Sequence, residues 1–323
     1  MTDDAQLVDL AAIRAAAARV GPYLHHTPVF PSRTLSARVG ATVDLKAELF
    51  QRTGSFKPRG GLNAILQLTE AERARGVISI SAGNHAQGVA FAAATAGVRA
   101  TLVMPANAVA SKVAAVRGYG AEVVQRGDVV EAFATLERLR EERDLVYIHP
   151  FDSARLVAGH GSLGLEIAAD VPQASLVVVP VGGGGLISGV AAALRGSGGG
   201  PRVVGVEPEG APGMTRALAA GGPVQLERIE TIADGLAPPF VGHLNLAHVQ
   251  EQVERVVLVS DDEIRAGMRF LMERCKLLPE PSGAATVGAL LAGKVPVEPD
   301  DTVVAVVSGG NLDLSSLGEL VGG

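Results

Sequence analysis

Residues 176–194 read LVVVPVGGGGLISGVAAAL and contain no charged side chain. A run of this length has the size of a membrane-spanning helix. Four consecutive glycines and Pro180 would each destabilise such a helix near its middle. An apolar strand, a glycine turn and a helix explain the same letters without that penalty. We therefore interpret the stretch as a strand-turn-helix unit and not as a membrane span.

Short apolar runs of strand length recur along the chain and alternate with alanine-rich segments of helical pattern. These runs lie at residues 77–81, 100–104, 121–125, 145–149, 175–181, 202–207 and 302–308. Helical patterns between them include residues 85–97 and 131–142. Continuously apolar strands separated by helices are typical of parallel sheets covered on both faces. The sequence therefore predicts an α/β fold.

Composition and charge narrow the class of protein. The chain has 323 residues, of which 47% are hydrophobic and 19% charged, enough for a large core. Its net charge is −6 and it has no basic block, so we expect neither nucleic acid nor membrane as a partner. One cysteine, Cys275, excludes an internal disulfide framework and a multi-cysteine zinc site. The acidic start lacks the basic segment of a signal peptide, which predicts a cytoplasmic protein.

A second stretch, TGSFKPRGGLN at residues 53–63, places Lys57 between a phenylalanine and a proline. A surface lysine on a helix has helix-forming neighbours, whereas Pro58, Gly60 and Gly61 indicate tight backbone geometry. We predict that Lys57 lies in a constrained loop that is built to hold its side chain.

Two further glycine-containing stretches each follow a predicted strand and open a predicted helix. They are SAGNHAQG at residues 81–88 and VGGGGL at residues 181–186. The free N–H groups at a helix N-terminus bind anions, and missing side chains allow close approach to a phosphate. Either stretch alone could be an ordinary tight turn. The glycines fail the dinucleotide pattern G-x-G-x-x-G, but Glu207 ends the next strand, so a nucleotide-binding oxidoreductase stays an alternative.

A phosphorylated aldehyde would suit two of these features, because the lysine could bind its aldehyde and the glycine turn its phosphate. The second anion site would suit an amino-acid carboxylate. Pyridoxal 5'-phosphate is the cofactor with that chemistry. Six motifs occur in the order TGSFKPRGGLNA, SAGNHAQGVA, PVGGGGL, IADG, EPSGA and SGGN. In this order they resemble the threonine and serine dehydratases, also called ammonia-lyases, over residues 24–315. The resemblance implies a two-domain fold type II architecture, similar to the tryptophan synthase β chain.

The resemblance also implies roles for particular residues. Lys57 would bind the cofactor as a Schiff base and then remove the α-proton of the substrate. Ser308 would face the pyridine nitrogen, where a neutral hydroxyl favours prompt β-elimination over a delocalised carbanion. The other cofactor-binding residues would be Phe56, Asn84, Gly182, Gly183, Gly184, Gly185 and Leu186. The substrate carboxylate would be bound by Ser81, Asn84 and His85. His149 and His160 are interpreted as structural.

The implied reaction converts L-threonine or L-serine, small β-hydroxy amino acids, to 2-oxobutanoate or pyruvate plus ammonia. Serine racemase and 3-hydroxyaspartate dehydratase remain alternatives. The first is disfavoured because Ala82 stands where racemases have a serine that moves a proton. A divalent cation is a weaker expectation, since Glu207 is a candidate ligand but Gly213 stands where a second acid would be expected.

Domain boundaries are predicted from the same resemblance. We expect a larger domain, residues 1–75 and 154–323, that carries Lys57 and the phosphate loop. A smaller mobile domain, residues 76–153, would carry the SAGN loop that binds the substrate carboxylate. We expect no C-terminal regulatory domain, and assembly into a dimer or tetramer.

Overall fold

The structure is a computed structural model that describes residues 6–196 and 199–322. In this part of the chain ten strands form two sheets. The strands are β1 (Val29–Pro31), β2 (Thr42–Ala47), β3 (Val77–Ile80), β4 (Ala100–Met104), β5 (Glu122–Gln125), β6 (Val146–Tyr147), β7 (Leu176–Pro180), β8 (Arg202–Pro208), β9 (Arg255–Val259) and β10 (Thr302–Val307).

Fourteen α-helices accompany them in the described residues. They are α1 (Leu10–Val20), α2 (Arg33–Val39), α3 (Lys57–Leu66), α4 (Glu70–Arg75), α5 (Asn84–Ala96), α6 (Ala110–Gly118), α7 (Val129–Glu142), α8 (Ala154–Asp170), α9 (Gly185–Arg195), α10 (Gly213–Ala220), α11 (His243–Gln252), α12 (Asp261–Phe270), α13 (Pro281–Leu291) and α14 (Leu317–Val321). A π-helical turn, Leu271–Cys275, continues α12.

The larger sheet has the strand order β1-β2-β10-β7-β8-β9, and the smaller has β5-β4-β3-β6. All neighbours are parallel except the edge pair β1 and β2. The predicted α/β class with parallel sheets is confirmed, and each of the seven predicted runs contains a strand. Strands β1, β2 and β9 were not predicted. In β2 the buried Asp44 and Lys46 interrupt the apolar pattern.

The smaller sheet uses only strands between residues 77 and 147. We therefore retain, as a proposal, the boundary that assigns residues 76–153 to a smaller domain. Residues 1–5, 197, 198 and 323 of the proposed larger domain lie outside the described residues.

Strand β7 shows why its apolar residues are continuous instead of alternating. Val177 and Val179 pack against α9 on one face of the sheet, where Ile187 and Val190 are buried with them. Leu176 and Val178 belong to the core on the opposite face. A strand covered on both faces needs apolar side chains at every position. Strand β7, the glycine turn and α9 confirm the strand-turn-helix interpretation of residues 176–194.

Helices α3, α8 and α9 cross at backbone contact distance because glycines occupy the crossings. A Cβ atom added to Gly159 would lie 2.4 Å from the Arg59 carbonyl oxygen, and one added to Gly189 would lie 2.4 Å from that of Val157. A Cβ atom on Gly60 would lie 2.5 Å from the His160 ring. The constrained loop predicted around Lys57 was therefore wrong. Lys57 begins a helix, and the glycines after it serve helix packing.

No helix in residues 6–196 and 199–322 is long and apolar enough to cross a membrane.

Replacing Gly189 by Ala should destabilise the protein by about 1–3 kcal/mol, because the new methyl group meets backbone atoms that cannot rotate away. Urea unfolding would measure the change. Gly118→Ala is the matched control, since Gly118 also lies in a helix but has nothing within 4 Å of an added Cβ. That control should be neutral or stabilising by up to about 1 kcal/mol. Equal midpoints for the two variants would contradict the crossing argument.

Candidate active site

A cavity of about 380 Å³ opens where the carboxyl ends of β3, β7 and β10 meet. Crevices at the carboxyl ends of parallel strands are the usual ligand sites of α/β folds. The residues predicted to bind cofactor or substrate all line this cavity: Phe56, Lys57, Ser81, Asn84, His85, Gly182, Gly183, Gly184, Gly185, Leu186 and Ser308. Glu207, the candidate metal ligand, is not among them.

Lys57 is the first residue of α3, and Pro58 follows it in the first turn, where a missing N–H costs nothing. The chain before it is held against the end of β10, because the Phe56 amide donates to the Ser308 carbonyl at 3.1 Å. The Lys57 amine lies 4.8 Å from the centre of the Phe56 ring. Burial lowers the pKa of this amine to about 8, although the nearby Glu280 carboxylate opposes the shift. An amine with this pKa is partly neutral at neutral pH, which suits a nucleophile or a base.

The glycine turn after β7 forms a concave bed of backbone. Gly184 adopts a φ of 92°, in the left-handed region, and α9 begins beyond it without any side-chain cap. An added Cβ on Gly183 would lie 2.3 Å from the Phe151 ring, and one on Gly184 would lie 2.7 Å from Asn245. Asn245 also donates to the Gly183 carbonyl oxygen at 2.7 Å. The turn is thus fixed with the uncapped N-terminus of α9 facing the cavity, a geometry that suits a phosphate.

A second uncapped helix N-terminus lies at the end of β3. Helix α5 begins at Asn84 with no side-chain cap, so the first-turn amides, including that of His85, are free to bind a carboxylate. The Ser81 hydroxyl accepts the Gly83 amide at 3.1 Å and still has a proton to donate. The His85 ring is turned away into the core, with Nε2 2.9 Å from the Ser79 hydroxyl. Burial lowers the pKa of His85 well below its usual value.

Asn84 connects the two sheets through a chain of side-chain hydrogen bonds. Asn311 donates to the Asn84 Oδ1 at 2.8 Å, and Asn84 Nδ2 donates to Glu280 at 2.5 Å. This pairing orients the amide, and its second N–H remains for a ligand. Burial and the Asp234 carboxylate raise the pKa of Glu280 to about 7. Glu280 and Asn311 were not predicted as site residues, although they lie in the EPSGA and SGGN motifs.

Glu207 lies outside the cavity and caps α10. Its carboxylate accepts the amides of Met214 and Thr215 at 2.6 and 3.0 Å, and the Thr215 hydroxyl at 2.9 Å. Burial raises the pKa of this carboxyl to about 7. No group of three or more His, Cys, Asp or Glu residues that could hold a metal occurs in residues 6–196 and 199–322.

A buried ion cluster supports α3 from behind. The Arg59 guanidinium, 1% exposed, forms paired bonds with Glu48 at 2.7 and 2.8 Å and with Glu166 at 2.7 and 2.9 Å. Lys46 bonds to Glu166 at 2.8 Å and to Asp170 at 2.9 Å. The arginine holds the pKa of Glu166 below its usual value against the opposing effect of burial. Because Arg59 lies two residues after Lys57, the cluster fixes the start of α3.

Arg59→Met should destabilise the protein by about 3–5 kcal/mol, because it leaves the buried Glu48 carboxylate without its main partner. Chemical unfolding at neutral pH would measure the loss. In the control Arg75→Met, the exposed pair with Asp144 is removed, which should cost less than about 1 kcal/mol. Comparable losses in both variants would mean that the buried cluster does not hold α3.

The comparisons with known proteins agree with this geometry. The family model described as "Pyridoxal-phosphate dependent enzyme" matches residues 20–309. The L-threonine ammonia-lyase of Thermotoga maritima is 40% identical over 98% of this chain and 78% of its own length. The catabolic L-threonine dehydratase TdcB of Staphylococcus aureus is 39% identical over 98% of this chain and 93% of its own. Maize serine racemase superposes with a TM-score of 0.93 at 38% identity, covering 97% of both chains.

Proposed function

This chain belongs to the family of pyridoxal-phosphate dependent enzymes, and from that premise we propose that it is an ammonia-lyase for L-threonine or L-serine. The reaction removes the β-hydroxyl and the amino group, and releases 2-oxobutanoate or pyruvate with ammonia. One observation carries the proposal: a lysine amine with its pKa lowered to about 8 shares one cavity with two uncapped helix N-termini. The relatives named as threonine ammonia-lyase and dehydratase support it over nearly the whole chain.

The residues present fit pyridoxal 5'-phosphate. The uncapped start of α9 suits its phosphate, and Lys57 suits its aldehyde carbon. Phe56 would pack on the ring, Asn84 would donate its remaining N–H to the ring hydroxyl, and Ser308 would face the ring nitrogen. When bound, the cofactor withdraws electrons from the substrate's α-carbon. The hydroxyl of Ser308, which is 3% exposed, cannot supply the negative charge that would keep the ring nitrogen protonated.

The protein's own groups would then act in a defined order. The amides at the start of α5 and the Ser81 hydroxyl bind the substrate carboxylate, which orients the α-carbon. With the substrate bound, the Lys57 amine would take the α-proton at Nζ. The apolar walls of the cavity, which include Phe133 and Phe240, exclude water during the reaction.

Racemisation is the nearest alternative, since maize serine racemase has a closely similar structure. Racemisation requires a proton donor on the substrate face opposite Lys57. Ala82 lines the cavity in the carboxylate loop, and its methyl group cannot move a proton. We therefore assign elimination as the main reaction.

Charge in the cavity argues against 3-hydroxyaspartate as the preferred substrate. Lys57 and Lys112 are the lysines that line it in residues 6–196 and 199–322, and no arginine does. Lys112 pairs with Asp234 at 2.5 Å. A second carboxylate would therefore be enclosed near Asp234 and Glu280 without a free cation, which is unfavourable.

Purified protein should show an absorption band near the visible edge, and should form oxo acid and ammonia in equal amounts from L-threonine and L-serine. Lys57→Ala should lose the band and the activity together, by at least about 1,000-fold in kcat, since one residue provides both the covalent link and the base. Arg75→Met is the surface control. A colourless wild-type protein that pyridoxal phosphate cannot reconstitute would overturn the proposal in favour of an oxidoreductase.

A substrate panel should separate the alternatives. We expect kcat/KM for 3-hydroxyaspartate to be about 100-fold or more below that for L-threonine, because of the unpaired carboxylate. Asp234→Asn removes the carboxylate partner of Lys112 and should reduce the difference in kcat/KM between L-threonine and 3-hydroxyaspartate. Chiral chromatography of the L-serine reaction should find pyruvate with little D-serine. Comparable turnover of 3-hydroxyaspartate, or D-serine as the main product, would each contradict the assignment.

We also propose a cytoplasmic location, a smaller domain that closes on substrate, and assembly into a dimer or tetramer. The single cysteine supports the location, the need to exclude water from the reaction supports the closure, and the resemblance supports the assembly, which sedimentation equilibrium would measure. The edge-to-face pair of Phe30 and Phe50, 37% and 46% exposed, is consistent with a covered surface in an assembly.

A further inference from the structure

His160 is a buried polar residue that the proposed reaction does not use. It lies on α8 with 1% of its surface exposed, and its ring meets the Phe56 ring edge to face with 5.0 Å between the ring centres. Neither ring nitrogen has a hydrogen-bond partner among the described residues. Buried polar groups are nearly always paired, so an unpaired imidazole beside a cavity points to a group that binds there.

The orientation of the ring limits where that group can lie. The Nε2 edge packs on the backbone of α3, since a Cβ on Gly60 would lie 2.5 Å from Nε2. The Nδ1 edge faces the first turn of α9, where a Cβ on Gly185 would lie 3.5 Å from Nδ1. His160 also lines the cavity. The Nδ1 edge therefore lies beside the start of α9, where the uncapped amides would bind an anion.

The ring is suited to donate a hydrogen bond rather than to transfer protons. Burial lowers the pKa of His160 to about 3, and the nearby Lys57 amine lowers it further. The close backbone of Gly185 raises this pKa, but the contact does not have the geometry of a hydrogen bond. A neutral imidazole carries one N–H donor, and its tautomer is set by the partner it finds.

We propose that His160 binds the cofactor phosphate through Nδ1–H and so completes, from α8, the cradle that the glycine turn forms. The inference rests on the cofactor of the proposed function but not on its substrate. His160 is thus a phosphate-binding and positioning residue.

The test compares two ligands that share the aldehyde but differ in the phosphate. Apoprotein is titrated with pyridoxal 5'-phosphate and with pyridoxal, and both affinities are measured by absorbance. In His160→Leu the dissociation constant for pyridoxal 5'-phosphate should rise about tenfold or more, because one hydrogen bond to a charged group is lost. The value for pyridoxal should stay within about twofold of wild type, since that ligand lacks the phosphate.

His160→Asn is the matched control, because an asparagine Nδ2 can occupy the place of the histidine Nδ1. It should retain the affinity for pyridoxal 5'-phosphate within about threefold. The ³¹P resonance of the bound cofactor should shift in the Leu variant and stay near the wild-type position in the Asn variant. Equal losses for both ligands would show that the ring only packs, and unchanged affinity would show that it takes no part; either result overturns the inference.

If His160→Leu apoprotein fails to show native circular dichroism, the comparison uses His160→Asn and His160→Gln. Asn should bind pyridoxal 5'-phosphate more tightly, since Gln places its amide at the Nε2 edge, and equal affinities would overturn the inference. Failure of the wild-type protein to bind the cofactor would instead overturn the proposed function.

Discussion

The site depends on how closely three helices approach one another. Glycines at the crossings of α3, α8 and α9 bring backbone against backbone, because a single methyl group at Gly159 or Gly189 would separate the helices. Two groups are brought to one cavity in this way: the lysine at the start of α3 and the imidazole on α8. The uncapped start of α9 is brought to the same place. The glycines of the turn after β7 line the cavity, whereas those inside the helices only allow the approach.

Burial determines the charge states of Lys57 and His160 in this cavity. The ion cluster around Arg59, behind the cavity, fixes the position of the start of α3. Lys57 and His160 are both shifted toward their neutral forms by removal from water. Arg59 keeps its charge, as arginine does throughout proteins, and two carboxylates enclose it. Two positions along one helix therefore separate an amine that burial shifts toward its neutral form from a permanently charged guanidinium. The difference lies both in the residue type and in the partners that each side chain finds.

Much of this could be predicted from sequence, for physical reasons that differ between elements. Continuous apolar runs identified the buried parallel strands, since both faces of such a strand are covered. Strand β2 was missed because Lys46 is buried only through partners distant in sequence. The motifs identified the residues that line the cavity. The proline and glycines around Lys57 predicted a loop instead of a helix, because the need for Gly60 comes from packing against α8, which is distant in sequence. The unpaired ring nitrogens of His160 could not be predicted from sequence, since they depend on how other elements pack around the ring.

The pairing of β2 with β10 has a consequence for how the chain acquires its structure during synthesis. On the side away from β1, residues 42–47 pair with residues 302–307, so the larger sheet cannot close until most of the chain has left the ribosome. The strands of the smaller sheet lie within residues 77–147, so they can pair as soon as that part of the chain has been synthesised. The nascent protein would therefore hold a formed smaller sheet between two incomplete parts of the larger one. During that interval the unpaired edge of β2 exposes backbone N–H and C=O groups, which can pair with another chain and lead to aggregation.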